Sequence, residues 1–358
     1  MILTKLDRFI MKKFLGTFVF MLILLMSISM VFDLSEKLND FIANGAPWDE
    51  IVFVYYSNFF INYGTQFSYL LNFISVIWFT SKMAGNTEIV PILSAGVGFN
   101  RFLRPYFISS TILVIAAILI YNFVLPASNS ARIDFEEKYY RDSHTKRNVR
   151  LELTENTILY FSSYNGVSKE IKEFSLERIE GNKLDYSLKA QKAIGDSLTN
   201  DWSFEDLSIR RFGEFNDEVY YSESLDTTLE FSVSDLVFRP NIIEAMDNKE
   251  LDEFIQEQEQ TGSSKIAFYL IKKHERWASP FAIFILTLIG VSVSSKKSRG
   301  GLGINIALGL GICVVYIFSM QMTTVAAINV GFTPVLAVWL PNIIFSFIAY
   351  FLYLKAPK

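Results

Sequence analysis

The sequence predicts an α-helical membrane protein with six transmembrane helices, three on each side of an inserted all-β domain. Two observations lead to this fold class. Of the 358 residues, 51% are apolar, and Asp, Glu, Lys and Arg are absent from five long windows. Between the third and fourth windows the chain instead shows short runs of alternating apolar residues, which are typical of β-strands.

The charge-free windows predict the six spans, because a membrane helix needs roughly 20 consecutive apolar residues. The first four windows hold one span each. The last window, residues 300–354, is 55 residues long and holds two spans, divided at the turn-forming segment 329–334. The predicted spans cover about 10–32, 51–81, 105–126, 277–295, 302–327 and 334–354. The predicted domains are therefore a first transmembrane half, 1–126, the inserted segment, 127–273, and a second transmembrane half, 274–358.

Basic residues predict the orientation of the chain, because short loops rich in Lys and Arg face the cytoplasm. They lie before span 1, in the two loops that follow spans 2 and 4, and at the C-terminus: Lys12, Lys13, Lys82, Arg101, Arg104, Lys296, Lys297, Arg299, Lys355 and Lys358. Both termini are predicted to be cytoplasmic. The inserted segment is predicted to lie outside, and it is acidic, with 19 basic and 29 acidic residues.

The inserted segment predicts about seven short strands between residues 149 and 233, with turn signals at Asn165-Gly166 and Gly181-Asn182. Many short strands separated by turn signals favour an antiparallel sandwich or a jelly roll. In this arrangement Trp202 and Phe204 share one face of a strand, which we predict to be the inward face.

The stretch between spans 2 and 3, residues 82–104, is longer than a connecting loop requires. Asn86 or Thr87 can cap a short helix at about 87–98, with Glu88 near its positive end and Pro91 in its first turn. Four apolar residues follow Glu88: Ile89, Val90, Ile92 and Leu93. They either lie on the membrane surface or fill a groove in a cytoplasmic partner.

Several polar residues lie within or next to the spans. Asp33 and Lys37 follow span 1 at helical spacing and form either a solvated helix end or a substrate-facing charge pair. Span 2 carries a polar stripe that either forms helix–helix hydrogen bonds or lines a water-accessible cavity: Asn58, Asn62, Gln66, Tyr69 and Asn72. Span 5 carries a ridge of small residues that suits close helix contact: Gly303, Ala307 and Gly311. The outer half of span 5 is more polar and includes Gln321.

The sequence lacks the residues that the common catalytic sites require. It contains two histidines, a single cysteine at position 313, no phosphate-binding GxxxxGK[ST] motif and no paired carboxylates within the spans. These absences argue against a zinc protease, a P-loop ATPase and an aspartyl membrane protease. The sequence therefore predicts neither an enzyme nor a cofactor of its own.

Five motifs in order along the chain resemble the LptF/LptG permease family. They are LDRF at 6–9, NTEIVPILSAGVG at 86–98, the WSF strand at 202–204, HERWASPF at 274–281 and VWLPN at 338–342. Each motif alone is weak, but their order and spacing over essentially the whole chain are specific.

The resemblance implies a permease subunit of an ABC-type transporter that extracts lipopolysaccharide from the bacterial inner membrane. It implies a periplasmic β-jellyroll domain and four kinds of partner: a second LptF/LptG-type permease, an LptB-like cytoplasmic ATPase dimer that binds the ATP, an LptC-like bitopic protein with a periplasmic β domain, and lipopolysaccharide. It implies no nucleic acid. In such permeases the loop after span 2 is the coupling helix that docks on the ATPase, and spans 1 and 5 of partner subunits form lateral gates.

The resemblance also places functional residues on this sequence. The acidic residue of the coupling helix matches Glu88, and the predicted coupling surface is completed by Ile89, Ile92 and Leu93. One paralogue uses a lysine for lipid phosphates where this chain has Asp33, with Lys37 one turn later. The predicted substrate path comprises Asp33, Lys37, Asn58, Asn62, Gln321, Trp202 and Phe204. The alternative function is a membrane-anchored scaffold or receptor whose β domain binds a partner.

Overall fold

The computed structural model describes residues 4–139, 145–154, 156–165, 170–181, 183–195, 201–213, 216–229, 242–260, 265–296 and 301–356. The first part of the chain consists of helices joined by short loops. Its elements are α1 (Lys5–Ala43), π1 (Glu50–Tyr56), α2 (Ser57–Gln66), α3 (Ser68–Gly85), α4 (Ile89–Ser94), α5 (Phe99–Leu119), π2 (Ile120–Val124) and α6 (Leu125–Tyr139). The described β region and a second helical part follow.

The second helical part begins with two short helices and continues with three long ones. They are α7 (Ile242–Ala245), α8 (Asn248–Gln260), α9 (Ile266–Ser294), α10 (Gly301–Val330) and α11 (Pro334–Leu354). At one end of the bundle, which we call the α4 end, α1 begins and α11 ends. At the other, the sheet end, α1 ends and α6 leads into the β region.

Five helical stretches in the described part of the chain are long and apolar enough to cross a membrane: Lys5–Ala43, Phe99–Glu136, Ile266–Ser294, Gly303–Val330 and Pro334–Leu354. They correspond to predicted spans 1, 3, 4, 5 and 6. The helices that contain spans 3 and 4 continue beyond these spans toward the sheet end, since α6 runs to Tyr139 and α9 begins at Ile266.

Predicted span 2 is helical but is not one unbroken helix. It begins as π1, and α2 stops at Gln66 before α3 starts at Ser68. The break follows Thr65, whose hydroxyl donates to the carbonyl of Ile61 at 2.6 Å. Such back-bonding by Ser and Thr competes with the helix ladder and bends helices.

Helix α3 lies at the centre of the bundle, in contact with α9 and α10. A Cβ at Gly290 of α9 would lie 2.8 Å from Val76 Cγ1, and one at Gly309 of α10 would overlap Ile77 Cδ1. These two glycines, and not the predicted ridge, mediate close helix contact within the chain. At Gly303 and Gly311 of the ridge, an added Cβ would meet no atom within 4 Å.

The described strands form one six-stranded antiparallel meander in the order β1 to β6. They are β1 (Thr145–Thr154), β2 (Thr157–Asn165), β3 (Glu170–Glu180), β4 (Lys183–Gly195), β5 (Asp201–Arg211) and β6 (Glu218–Thr228). They confirm six of the predicted strands, and a turn at Gly181, with φ +63°, joins β3 to β4. Residues 230–233 of the seventh predicted strand and Gly166 lie outside the described residues.

A crease crosses this sheet. Among the described strands, all five strand pairs lack a bridge at one row of residues: Asn148, Ser162, Glu173, Gln191, Asp206 and Glu223. Glu173 and Asp206 have positive φ, +52° and +53°. At this row the spacing of buried residues changes from two to three, at Phe161–Tyr164, Ile171–Phe174, Ala190–Ala193 and Phe204–Leu207. The strands bend here, and both halves turn their apolar side chains to one core.

Candidate functional site

Helix α4 is shorter than the predicted helix at about 87–98. Glu88 is its N-cap residue, no side chain caps it, and Ala95 is its C-cap. Pro91 lies within the first turn, as predicted. The chain enters α4 through a tight turn in which Thr87 has φ +60°. In this turn Asn86 Nδ2 donates a hydrogen bond to Glu88 Oε1 at 3.0 Å. Glu88 is therefore held at the head of the helix by its neighbour.

The apolar residues of α4 divide into two faces. Ile89 is only 1% exposed and belongs to a buried cluster at the α4 end, and Ile92 and Leu93 pack against the same cluster. Val90 is 58% exposed, and Pro91 is exposed as well. Ile89, Ile92 and Leu93 thus anchor α4 to its own chain, whereas Val90 and Pro91 face outward.

An ion pair fixes the start of α1 beside α4. Arg101 of α5 donates to both carboxylate oxygens of Asp7, at 2.5 and 2.7 Å. Thr4 and Asp7 form a reciprocal capping box at the same helix start. Asp7 is fully buried although it precedes a charge-free stretch that is long and apolar enough to cross a membrane. The hydrogen bonds from Arg101 hold the pKa of this carboxyl well below its ordinary value of 3.8. We call Thr4, Asp7 and Arg101 the α4-end clamp.

A second polar cluster surrounds the outer part of α1. Asp33 forms an ion pair with Lys37 at 2.7 Å, and their side chains are only 14% and 13% exposed. Asp33 also accepts hydrogen bonds from Tyr55 at 3.0 Å and Tyr56 at 3.4 Å. This pair is largely buried and is therefore not a solvated helix end. A role of the pair in facing the substrate stays a prediction. We call Asp33, Lys37, Tyr55 and Tyr56 the sheet-end clamp.

The polar stripe of span 2 forms hydrogen bonds between helices. Asn62 donates to Asn129 of α6, and Asn72 donates to Thr287 of α9 at 2.9 Å. Asn58 donates to the carbonyl of Val54 in the preceding π1 at 2.7 Å. Asn62 and Asn72 therefore follow the first of the two predicted alternatives, hydrogen bonding between helices. Gln321 of α10 is exposed.

Trp202 and Phe204 lie on the inward face of β5, as predicted. They are 2% and 0% exposed and stack at a ring distance of 6.0 Å. Phe174 of β3 completes the aromatic group, with ring centroids 5.1 Å from Phe204. The sheet core is therefore apolar and aromatic at the crease.

In the part of the chain that the structure describes, no group of three His, Cys, Asp or Glu side chains could hold a metal ion. What the geometry provides is a long helix clamped at both ends, a short helix with an outward apolar face, and a bent sheet with an apolar core.

The comparison with protein families decides the identity. The family model described as "Lipopolysaccharide export system permease LptF/LptG" matches residues 8–355. The chain belongs to the LptF/LptG family. No curated protein matches the sequence.

Membership of the LptF/LptG family makes this chain a multi-pass membrane permease for lipopolysaccharide export and a transport subunit. The five membrane-length helices and the sheet inserted between helices agree with this assignment.

The sequence pattern does not reveal the three residues that complete the clamps, Arg101, Tyr55 and Tyr56. The sequence predicts Arg101 only as a basic loop residue, because its partner lies 94 positions away. Tyr55 and Tyr56 lie within a charge-free window and are predicted only as span residues. The π-helical winding of π1 lets two successive tyrosines both reach Asp33, and no sequence signal announced that winding.

Proposed function

We propose that this protein is a permease subunit of an ABC-type transporter that extracts lipopolysaccharide from the bacterial inner membrane and passes it along its periplasmic β domain toward the outer membrane. A separate cytoplasmic ATPase binds and hydrolyses the ATP. The family match over residues 8–355 carries this proposal. The structural features below support its separate parts.

The α4 end is the proposed contact with the ATPase dimer. Helix α4 projects an exposed Val90 and Pro91 beside Glu88, which Asn86 orients. Ile89 is buried in the chain's own cluster, so we assign it, with Ile92 and Leu93, to transmitting force from α4 into the bundle. The ATPase contact is then an apolar patch with one carboxylate at its edge.

Six membrane crossings are proposed. Five are the membrane-length helices, and α2 and α3 together form the remaining one, predicted span 2. These helices follow one another with only Phe67 between them, and residues 51–81 carry no charge. At about 1.5 Å per residue this stretch is long enough for a hydrocarbon core of about 30 Å. Six crossings would put both termini and α4 on one side of the membrane and the sheet on the other. The basic loops support the cytoplasm as the side of the termini and the periplasm as the side of the sheet.

A second permease of the same family is the proposed partner within the membrane. Helices α1 and α10 expose large apolar side chains, among them Phe20 at 61%, Val314 at 65% and Phe318 at 63%. The open faces of Gly303 and Gly311 lie on α10 as well. Small residues let helices approach closely in lipid. These faces suit the lateral gate through which lipid enters between two subunits.

The sheet is the proposed shelter for the acyl chains and the proposed contact with an LptC-like β domain. Its meander bends at the crease so that both halves face one core, which supports a jellyroll-like groove. Trp202, Phe204 and Phe174 provide an aromatic, apolar wall there. Apolar walls with few polar groups suit an aliphatic ligand.

Affinity purification of the intact complex tests the proposal. We expect a P-loop ATPase and a second permease to co-purify, and lipopolysaccharide to stimulate ATP hydrolysis. Glu88→Arg should remove the ATPase, whereas Glu36→Arg, a charge reversal at an exposed site of α1 near the sheet end, should retain it. A complex that binds no lipopolysaccharide and never stimulates hydrolysis would favour the membrane-anchored scaffold.

A further inference from the structure

Helix α1 is held firmly at its two ends and loosely between them. Beyond Phe14 and before Phe41, only Phe18 and Met26 are buried in the described chain. At Gly16 an added Cβ would meet no atom within 4 Å. The rest of this stretch is exposed or half-buried, including Val31 at 67% and Phe32 at 73%. Packing along its length therefore does little to hold α1 in place.

The α4-end clamp joins the beginning of α1 to the segment that contains α4. Arg101 lies in the first turn of α5, and its backbone N–H bonds to the carbonyl of Gly98, the last residue before that helix, at 2.9 Å. Ile10 and Phe14 of α1 belong to the same buried cluster as Ile89 of α4. A displacement of α4 therefore acts on α1 through one bidentate ion pair and one apolar cluster.

The sheet-end clamp joins the far part of α1 to π1. Tyr55 bonds Asp33 and packs against Phe41, with ring centroids 5.5 Å apart. Phe41 also contacts Phe135 of α6 at 5.6 Å, and Asn44, just after α1, donates to the carbonyl of Tyr139 at 3.0 Å. Helix α1 thus contacts the last residues of α6, from which the chain enters the sheet.

The two clamps lie about one membrane thickness apart. Asp7 and Asp33 are separated by 26 residues of a single unbroken helix, which corresponds to about 39 Å at about 1.5 Å per residue. A continuous helix resists compression along its axis, because every turn is hydrogen-bonded to the next. Motion applied at one end is therefore delivered to the other.

We propose that α1 is a rigid mechanical link between the ATPase contact and the sheet, and that Arg101 and Asp7 are the positioning residues that engage it. This inference rests on the proposed function. The ion pair transmits the displacement of α4 to the start of α1, and the sheet-end clamp passes it to π1 and α6. Without the pair, only the apolar cluster joins α4 to α1, so ATP is hydrolysed but the response at the sheet end is weakened.

The test uses the complete transporter in proteoliposomes with lipopolysaccharide. Arg101→Glu places a second carboxylate beside Asp7, Arg101→Lys keeps the charge, and the double variant Asp7→Arg/Arg101→Asp restores the pair in reverse. Arg104→Glu reverses a charge one turn further along α5 and is the matched control. The readouts are ATP hydrolysed per lipid extracted and the spin-label distance between Glu36 on α1 and Val330 at the sheet end of α10, with and without trapped nucleotide.

We expect Arg101→Glu to raise ATP consumed per lipid at least about fivefold, the lower end of typical coupling between sites, and to reduce the nucleotide-dependent distance change. Arg101→Lys and the double variant should recover both readouts, and Arg104→Glu should not alter them. If the wild type is active, and Arg101→Glu changes neither the ATP hydrolysed per lipid extracted nor the nucleotide-dependent distance change, the inference is overturned but the proposed function is not. If Arg101→Glu lowers ATP hydrolysis and lipid extraction in equal proportion, the inference is also overturned, because the Asp7–Arg101 ion pair then only stabilises the structure. A wild-type complex that neither hydrolyses ATP nor extracts lipid refutes the proposed function and the inference with it.

Discussion

At the scale of single residues, the burial of Asp7 shows how a charge is accommodated at the edge of a membrane protein. Its two oxygens accept both Arg101 bonds, and the capping box uses the same carboxylate to bond the Thr4 backbone N–H. A buried carboxylate is costly unless it is paired and hydrogen-bonded. Asp7 meets both conditions, and its pair is charged throughout the physiological pH range.

The first prediction concerns pH. A carboxyl whose pKa is lowered by folding stabilises the folded state above its ordinary pKa, and this contribution disappears as pH falls through the lowered value. The pKa of Asp7 is lowered from 3.8. The difference in melting temperature between wild type and Asp7→Asn should therefore stay constant between about pH 5 and pH 8 and shrink only in stronger acid. A difference that vanishes by pH 6 would contradict the assignment.

The second prediction concerns Gly290. Because a Cβ there would lie 2.8 Å from Val76 Cγ1 and 3.2 Å from Phe73 Cδ2, Gly290→Ala should separate α9 from α3. We expect a loss of about 1–3 kcal/mol in the free energy of unfolding, the usual cost of overpacking, measured on the purified subunit in detergent. Gly303→Ala, at a helical site with no atom within 4 Å, is the control and should be neutral or slightly stabilising, because alanine favours a helix more than glycine does. Equal effects of the two substitutions would refute the close contact.

At the scale of elements, the crease explains how one meander can enclose a core. In each central strand the apolar spacing of two gives way to three at the same row, so the inward face changes parity while the chain bends. The sequence carries this signal in Ile171–Phe174 and in Phe204–Leu207, but a single strand with such a step cannot be told from two short strands. Only the alignment of the steps across neighbouring strands identifies a bend.

The third prediction concerns the crease residue Asp206, whose φ is +53°. Asp206→Gly should stabilise the sheet by up to about 1 kcal/mol, because glycine adopts this conformation freely. Asp206→Val should destabilise it by about 1–2 kcal/mol, since a β-branched residue is strained there. Hydrogen exchange of the β5 amides in the intact protein measures both effects.

Glu205, the neighbouring exposed strand residue, provides the control for this prediction. Glycine there should cost about 0.5–1 kcal/mol, and valine should be neutral, so the order of the two substitutions reverses. The same order at both positions would show that the crease carries no backbone constraint.

At the scale of the whole molecule, the sequence predicted the helices and the sheet better than the side-chain contacts that join them. Charge-free windows located all the long helices, and the change of period located the sheet, because both signals are local. The break at Phe67 leaves the apolar pattern intact, so the sequence pattern did not predict it. The clamps escaped notice because Asp7 and Arg101, or Asp33 and Tyr55, meet only in the fold. Of the predicted coupling residues, Glu88 keeps an accessible position at the head of α4, whereas Ile89 turned inward.

Photo-crosslinking of lipopolysaccharide to the sheet tests the central claim, transport from the membrane to the sheet core, most directly. A photoreactive residue at position 202 or 204, on the inward face of β5, should capture lipopolysaccharide when the complete transporter hydrolyses ATP. The same residue at position 205, on the exposed face, should capture little. Replacing ATP by a non-hydrolysable analogue should abolish the inward signal. Equal labelling at positions 204 and 205, or labelling that is indifferent to ATP, would contradict a transport path through this sheet.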